Sequence, residues 1–261
     1  MKQPYPILEF DSQRSAIIEP FGNNVEGGLP EGCVLCFFYN ILAELVEAGT
    51  LKAVGQLSTE NGPLPIYLFT AEDGRQVAVM NPQVGAPLAA GVMEKMIAHG
   101  CRKFIIVGGA GSLVHDHAVT HLVIPFSAIR DEGVSYHYLP PSREVQPDGE
   151  GVAMIEEILE QHGLPYVKSK TWTTSAYFRE TIQKRDLRIA EGCTVVEMEA
   201  AAFFAVAKFR GVQAAQLLYA GDLVVPEGWD HRDWNDRKSI RLNLFHLGIE
   251  TVLAWTNKGD K

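Results

Sequence analysis

Long apolar runs are missing from this chain. No stretch approaches the ~20 consecutive apolar residues a membrane helix needs, and the opening MKQPYPILEFDSQRS lacks the charged-then-apolar order of a signal peptide. Positive charge is scarce: 23 Lys and Arg stand against 32 Asp and Glu, a formal net charge of −9. That balance offers no footprint for nucleic acid or an anionic membrane. Cysteine is rare, with four scattered residues, Cys33, Cys36, Cys101 and Cys193. The lone C-x-x-C of CVLC has no second pair and no nearby histidine, so buried apolar cysteine is the better reading than zinc or redox chemistry. Low-complexity tracts, internal repeats and linkers are also missing. A cytoplasmic protein of one domain over residues 1–261 is expected, long enough to bury a large core.

What is present alternates. Ala16–Glu19 (AIIE) reads as a short strand, and Phe38–Ala48 carries the i, i+3, i+4 apolar spacing of a helix. Ile66–Thr70 and Gln76–Met80 read as strands around the turn Glu72-Asp73-Gly74. Helices are expected at Ala89–His99, Gly151–His162, Ala200–Arg210 and Arg237–Trp255, with glycines closing the first three. Strands are expected at Lys103–Val107, His121–Pro125, Thr194–Val196 and Gln213–Ala220. Such alternation predicts an α/β fold, a mostly parallel or mixed central sheet covered by helices, with ligands beyond the carboxyl ends of the strands.

Three strand ends carry polar or glycine-rich sequence. The first is VGGAGSL, where Gly108, Gly109 and Gly111 follow a buried strand. Glycines there either let backbone N–H groups approach a ligand or make a tight turn at positive φ. No Gly-Lys-Ser/Thr follows, which excludes a Walker loop. The second is VVEMEAAAFFAVAKFR. Glu197 and Glu199 fall on one side of an extended segment and next to a helix N-terminus, which favours negative charge. Capping accounts for one of them. Two adjacent acceptors suit the vicinal diol of a sugar. The third is LLYAGDLVVPEGW, whose Asp222 is a candidate general acid if partly buried, or an ordinary turn residue. His115, His117 and His121 cluster locally, but no acid or cysteine array accompanies them, so solvated loop histidines are favoured over a metal site.

In combination, VGGAGSL, the helix GAPLAAGVMEKMIAHG before it, VVEMEAAAFFAVAKFRG and the downstream AGD resemble the nucleoside phosphorylase family, in its purine or uridine phosphorylase-like branch. The resemblance runs from about Ala16 to the C-terminal helix. It implies a single α/β domain whose mixed sheet curls into a distorted barrel, and cleavage of the N-glycosidic bond of a nucleoside, more readily a purine one. By the same resemblance Glu199 binds the ribose hydroxyls, Met198 packs beneath the sugar and Glu197 lies beside it. Asp222 protonates the leaving base, supported by Arg237, and Trp172 stacks on the base. Gly108 and Gly109 belong to the phosphate side, and Tyr5 falls where members reach a neighbouring subunit's ribose. A homo-oligomer is implied, with phosphate as possible co-substrate and no other cofactor.

The expected phosphate-binding arginines are not found. IIEPFGNNVEGG, aligned with the turn after the first strand, has none, Ile106 and Gly109 stand where an arginine and a hydroxyl residue are usual, and NILAELVEAGTLKAV offers only Lys52. Their loss removes bidentate contacts to a dianion. Three readings stay open: a phosphorylase with altered contacts, a hydrolase with Glu19 or Glu26 as base in the vacated pocket, and a non-catalytic nucleoside binder. Retention of Glu199, Asp222 and Arg237 argues against the third.

Overall fold

Residues 2–21, 25–60 and 62–257 are described by a computed structural model. Gly22, Asn23 and Asn24 of the IIEPFGNNVEGG segment lie outside the described residues.

Strand β1 is Gly32–Cys36, followed by α1 (Tyr39–Glu47), β2 (Leu51–Thr59), β3 (Gly62–Thr70), β4 (Gln76–Met80), α2 (Ala86–Ala98) and β5 (Lys103–Ser112). Then come β6 (Leu122–Asp131), α3 (Ser135–Tyr138), β7 (Glu144–Val145), α4 (Gly149–Gln161), β8 (Tyr166–Thr174), α5 (Ile182–Ala190) and β9 (Cys193–Glu197). The chain continues through α6 (Ala200–Arg210), β10 (Gln213–Val225), β11 (Gly228–Asp230) and α7 (Lys238–Asn257).

The strands join one mixed sheet. β5 is its hub: it runs parallel to β1 and β10 and antiparallel to β9. β10 pairs with β6, β6 with β8 and β8 with β9, so the circuit β5–β10–β6–β8–β9 closes on itself. This is the expected distorted barrel, extended on one side by β1, β4, β3 and β2.

Alternate residues of β1 and β5 feed two different cores. Val34, Ile105 and Val107 pack with Leu42, Ile155 and Phe245 of α1, α4 and α7. Cys33, Leu35, Phe104 and Ile106 pack with Met93 and Phe203 of α2 and α6. Burial on both faces is why these strands read as continuous apolar runs. It also explains α6, in which Ala200–Ala207 are all buried and no polar face remains. The helix ends at Gly211, whose φ of +71° is the left-handed conformation glycine adopts without steric cost. All four cysteines are free and buried.

Two expectations need correction. Ala16–Glu19 is not a strand. Ile17 and Ile18 are exposed, and Glu19 instead lies 3.9 Å from Arg210 at the end of α6. The first strand is Gly32–Cys36, where every residue is buried between β4 and β5. An apolar quartet becomes a strand only if the sheet has a slot for it. Likewise, Gly108, Gly109 and Gly111 form no turn and have no positive φ; β5 simply continues through them. They are glycines because of close packing inside the barrel. A Cβ at Gly109 would lie 3.1 Å from the Tyr219 ring, and one at Gly111 would lie 3.1 Å from Val196.

Candidate functional site

The carboxyl ends of β1, β5 and β9 and the distal half of β10 open onto one cavity of about 1180 Å³. Glu199 and Asp222 both line it, from different elements.

The β9–α6 junction supplies the inner wall. β9 ends at Glu197, and its carboxyl is fully occupied by the protein. Oε1 accepts from the Thr173 and Thr171 hydroxyls of β8 at 2.6 and 3.2 Å. Oε2 accepts from the backbone N–H groups of Glu199 and Ala200 at 2.7 and 2.6 Å. Glu197 therefore caps α6 and ties β8 to it, which is why a carboxylate sits inside an apolar run. Glu199, the residue that precedes α6, makes no cap. Its Oε1 accepts the Gly85 N–H at 2.5 Å, and the Met198 backbone is a further hydrogen-bond partner of the carboxyl. Gly85 has φ +103°, so that amide can be presented only by a glycine without strain. Burial first, and the Glu197 charge second, push the Glu199 carboxyl up to about 8. Burial also raises Glu197, against the pull of its hydrogen bonds. Met198, between them, lines the cavity as expected.

The opposite wall comes from β10, β11 and the turn before α7. Asp222 follows a bulge in β10 and accepts the Trp229 indole N–H at 2.6 Å. Glu180 lines the same cavity, and its carboxyl is raised to about 7 by burial and then by the Asp222 charge. Trp229 and Trp234 are part of this wall, and Phe37 and Phe38 close the end of β1.

Other expected site residues fall elsewhere. Trp172 is fully buried, donates its indole N–H to Asp131 at 2.9 Å and is covered by Arg188. It is a core residue of β8, and the aromatics that line the cavity include Phe37, Phe38, Tyr177, Phe178, Trp229 and Trp234 instead. Arg237 makes no ion pair with Asp222; its Nη2 donates to the Arg232 carbonyl at 2.7 Å. The arginine in the cavity is Arg241, one helical turn further along α7. It donates to the Tyr219 hydroxyl at 3.1 Å and the Trp234 carbonyl at 3.2 Å, with its guanidinium over Phe38. Gly109 lines the cavity and Gly108 packs beneath it on Phe37. Tyr5 is exposed, away from the cavity.

The phosphate question shifts with the first strand. The segment after β1 is Phe37-Phe38-Tyr39-Asn40, again without arginine. Ile106 is core, Lys52 is exposed on β2, and neither Glu19 nor Glu26 lines the cavity, so neither serves as a base there. His117 is buried with its ring 6.1 Å from that of His121, and His115 lies 3.6 Å from Glu227. Among the described residues no group of three or more His, Cys, Asp or Glu could hold a metal, and no helix is long and apolar enough to cross a membrane.

Glu180, Arg241 and Trp229 were not anticipated. Glu180 sits in SAYFRET, just past the end of β8, and a polar residue beyond a barrel strand was the available signal. Arg241 lies in the first turn of α7, four residues beyond Arg237, which precedes the helix.

The fold is a closed mixed α/β barrel with acids at its strand ends, and comparisons with known proteins place it in a family. A family profile described as "Phosphorylase superfamily" matches residues 40–247, and the chain belongs to that superfamily. It is similar to a uridine phosphorylase from Treponema pallidum, 31% identical over 153 residues, covering 54% of this chain and 59% of that protein. A guanosine phosphorylase from Halorubrum lacusprofundi is 25% identical over 182 residues, 66% of this chain and 76% of its own length. Among solved structures, a uridine phosphorylase from Vibrio fischeri superposes with a TM-score of 0.73 at 20% identity, covering 90% and 97% of the two chains. An AMP nucleosidase from Bacteroides thetaiotaomicron gives 0.70 at 21%, covering 89% and 91%.

Proposed function

We propose that this protein cleaves the N-glycosidic bond of a purine nucleoside, releasing the base and passing the ribose to phosphate. The convergence of Glu199 and Asp222 on one cavity carries the reading. The Glu199 carboxyl hydrogen-bonds the ribose hydroxyls, with Met198 against the sugar. Asp222 faces the base, where a carboxyl is available to the leaving group. As the bond breaks, ribose gains oxocarbenium character, which fixed carboxylates stabilise. The names of the similar proteins, uridine and guanosine phosphorylases, support phosphate as acceptor. Arg241 and the N-terminus of α1 would be its nearest positive groups.

A second reading has water as acceptor. It is favoured by the charge of the wall: Glu180, Glu197, Glu199, Asp222 and Asp236 face the cavity with one arginine, Arg241, already engaged by Tyr219 and Trp234. A phosphate dianion meets repulsion there, and water does not. The deciding experiment incubates nucleosides with and without phosphate and measures free base. Phosphate-dependent release supports the first reading and phosphate-independent release the second. Tight binding without release from any nucleoside would overturn both. We also infer a cytoplasmic homo-oligomer. Light scattering on the purified chain tests the assembly, and the exposed Tyr5 is the side chain to vary if the assembly forms.

A further inference from the structure

Resting on the reading of this cavity as a nucleoside site, we propose that Glu180, rather than Asp222, holds the proton taken by the departing base, and that the two carboxyls together select 6-aminopurine nucleosides.

Both carboxyls line the cavity, and they are close enough for the Asp222 charge to act on Glu180. Their surroundings differ. The Trp229 indole, which can only donate, bonds Asp222 Oδ2 at 2.6 Å. Among the described residues no donor bonds the Glu180 carboxyl. Glu180 is half-buried beside a negative neighbour, and both influences keep its proton on to about pH 7. The other charged groups on the cavity are acidic or engaged elsewhere. Glu197 and Glu199 at the β9–α6 junction and Asp236 before α7 are acidic. Arg241 is engaged by Tyr219 and Trp234, and Arg185 on α5 donates to the carbonyls of Val224 and Leu113. Among the described residues no histidine lines the cavity.

The proton balance is simple. As C1′–N breaks, its electron pair goes to the base. A ring nitrogen of the base takes the proton from Glu180, leaving a carboxylate. The oxygen of phosphate, or of water that gives up one proton to solvent, closes the bond to C1′, and solvent returns a proton to Glu180 once the base has left. Before that step, protonated Glu180 offers one donor beside the acceptors of Asp222. Adenine presents the matching edge, an N7 acceptor beside the N6 amino donor, whereas guanine presents two acceptors, N7 and O6. A 6-oxo group would face ionised Asp222.

The test uses the full chain with adenosine, inosine and p-nitrophenyl β-D-riboside, at saturating phosphate and without it. Wild type is expected to favour adenosine over inosine. Glu180→Gln keeps a donor for N7 but has no proton to transfer, so kcat on adenosine should fall ~10²-fold while KM changes little. The p-nitrophenyl riboside, whose leaving group needs no proton, should be cleaved at near wild-type rate. The alkaline fall of the pH profile should vanish in Glu180→Gln. Circular dichroism checks the fold of each variant. Unchanged kcat on adenosine in Glu180→Gln, or equal loss on adenosine and the p-nitrophenyl riboside, overturns the proton role. Preference for inosine overturns the selectivity. If wild type releases no leaving group from any substrate, the nucleoside reading itself fails, a result distinct from these.

Discussion

At the β9–α6 wall the acids are buried among backbone and threonine donors, whereas at the β10–β11 wall Asp222 and Glu180 sit beneath aromatic side chains that reach solvent. Trp229 is 62% exposed and Phe178 86%, while Glu197 and Glu199 are 7% and 5%. The inner wall is held by strand, helix and a glycine amide and has no freedom to adjust. The outer wall hangs on a bulge, a three-residue strand and a 3-10 turn at Trp234–Asp236. A fixed sugar end with an adaptable base end suits a reaction in which one half of the substrate is held and the other departs.

The contrast can be broken by substitution. The largest effect is expected at the fixed wall. Glu199→Gln should cost ~10²–10³-fold in kcat/KM, read by base release, because its carboxyl is placed at the sugar. A loss below tenfold would remove Glu199 from the sugar site. Next is stability. Glu197→Ala leaves two backbone amides and two threonine hydroxyls without their acceptor, at a cost of about 3 kcal/mol in urea unfolding. If Glu197→Ala instead unfolds like wild type but binds nucleoside poorly, the two glutamates have the opposite roles.

A pH titration sharpens the same pair. The Glu199 carboxyl is raised from its ordinary value to about 8, so the folded state binds that proton more tightly than the unfolded chain. Its contribution is full in acid and is lost as pH rises through about 8. Urea midpoints of wild type should fall over that range, and those of Glu199→Gln should fall less. The remaining effects are smaller. Trp172→Phe should cost about 1–2 kcal/mol of stability, through the lost bond to Asp131, with KM unchanged. Arg237→Gln should alter kcat/KM by about 0.5 kcal/mol or less, since its guanidinium serves the Arg232 carbonyl.

Much of this architecture was legible. β4 and α6 lie where their residue patterns put them, and β5 begins where expected, because burial on both faces and a closing glycine leave strong local signals. Glu199, Met198 and Asp222 do meet at one cavity. Trp172 and Arg237 fall elsewhere, for a common reason. A tryptophan on a barrel strand points inward or outward according to register, and an arginine on a helix reaches the cavity only at the right turn. For Trp172 the neighbours Asp131 and Arg188 decided the matter, and for the arginines a single turn of α7 did. The AIIE and CVLC segments show the same limit, since both are short and apolar and only one has strands on either side.

Composition and periodicity by themselves determined an α/β chain with a buried β5, a largely apolar α6 and two glutamates at the junction feeding it. Only the tertiary structure decided which glutamate caps α6 and which turns to the Gly85 amide. The donors that make the choice come from Thr171 and Thr173 on a neighbouring strand and from the Gly85 amide more than a hundred positions away. Hydrogen-bond supply at a buried carboxylate is set by what the fold brings alongside it, and no local pattern records that.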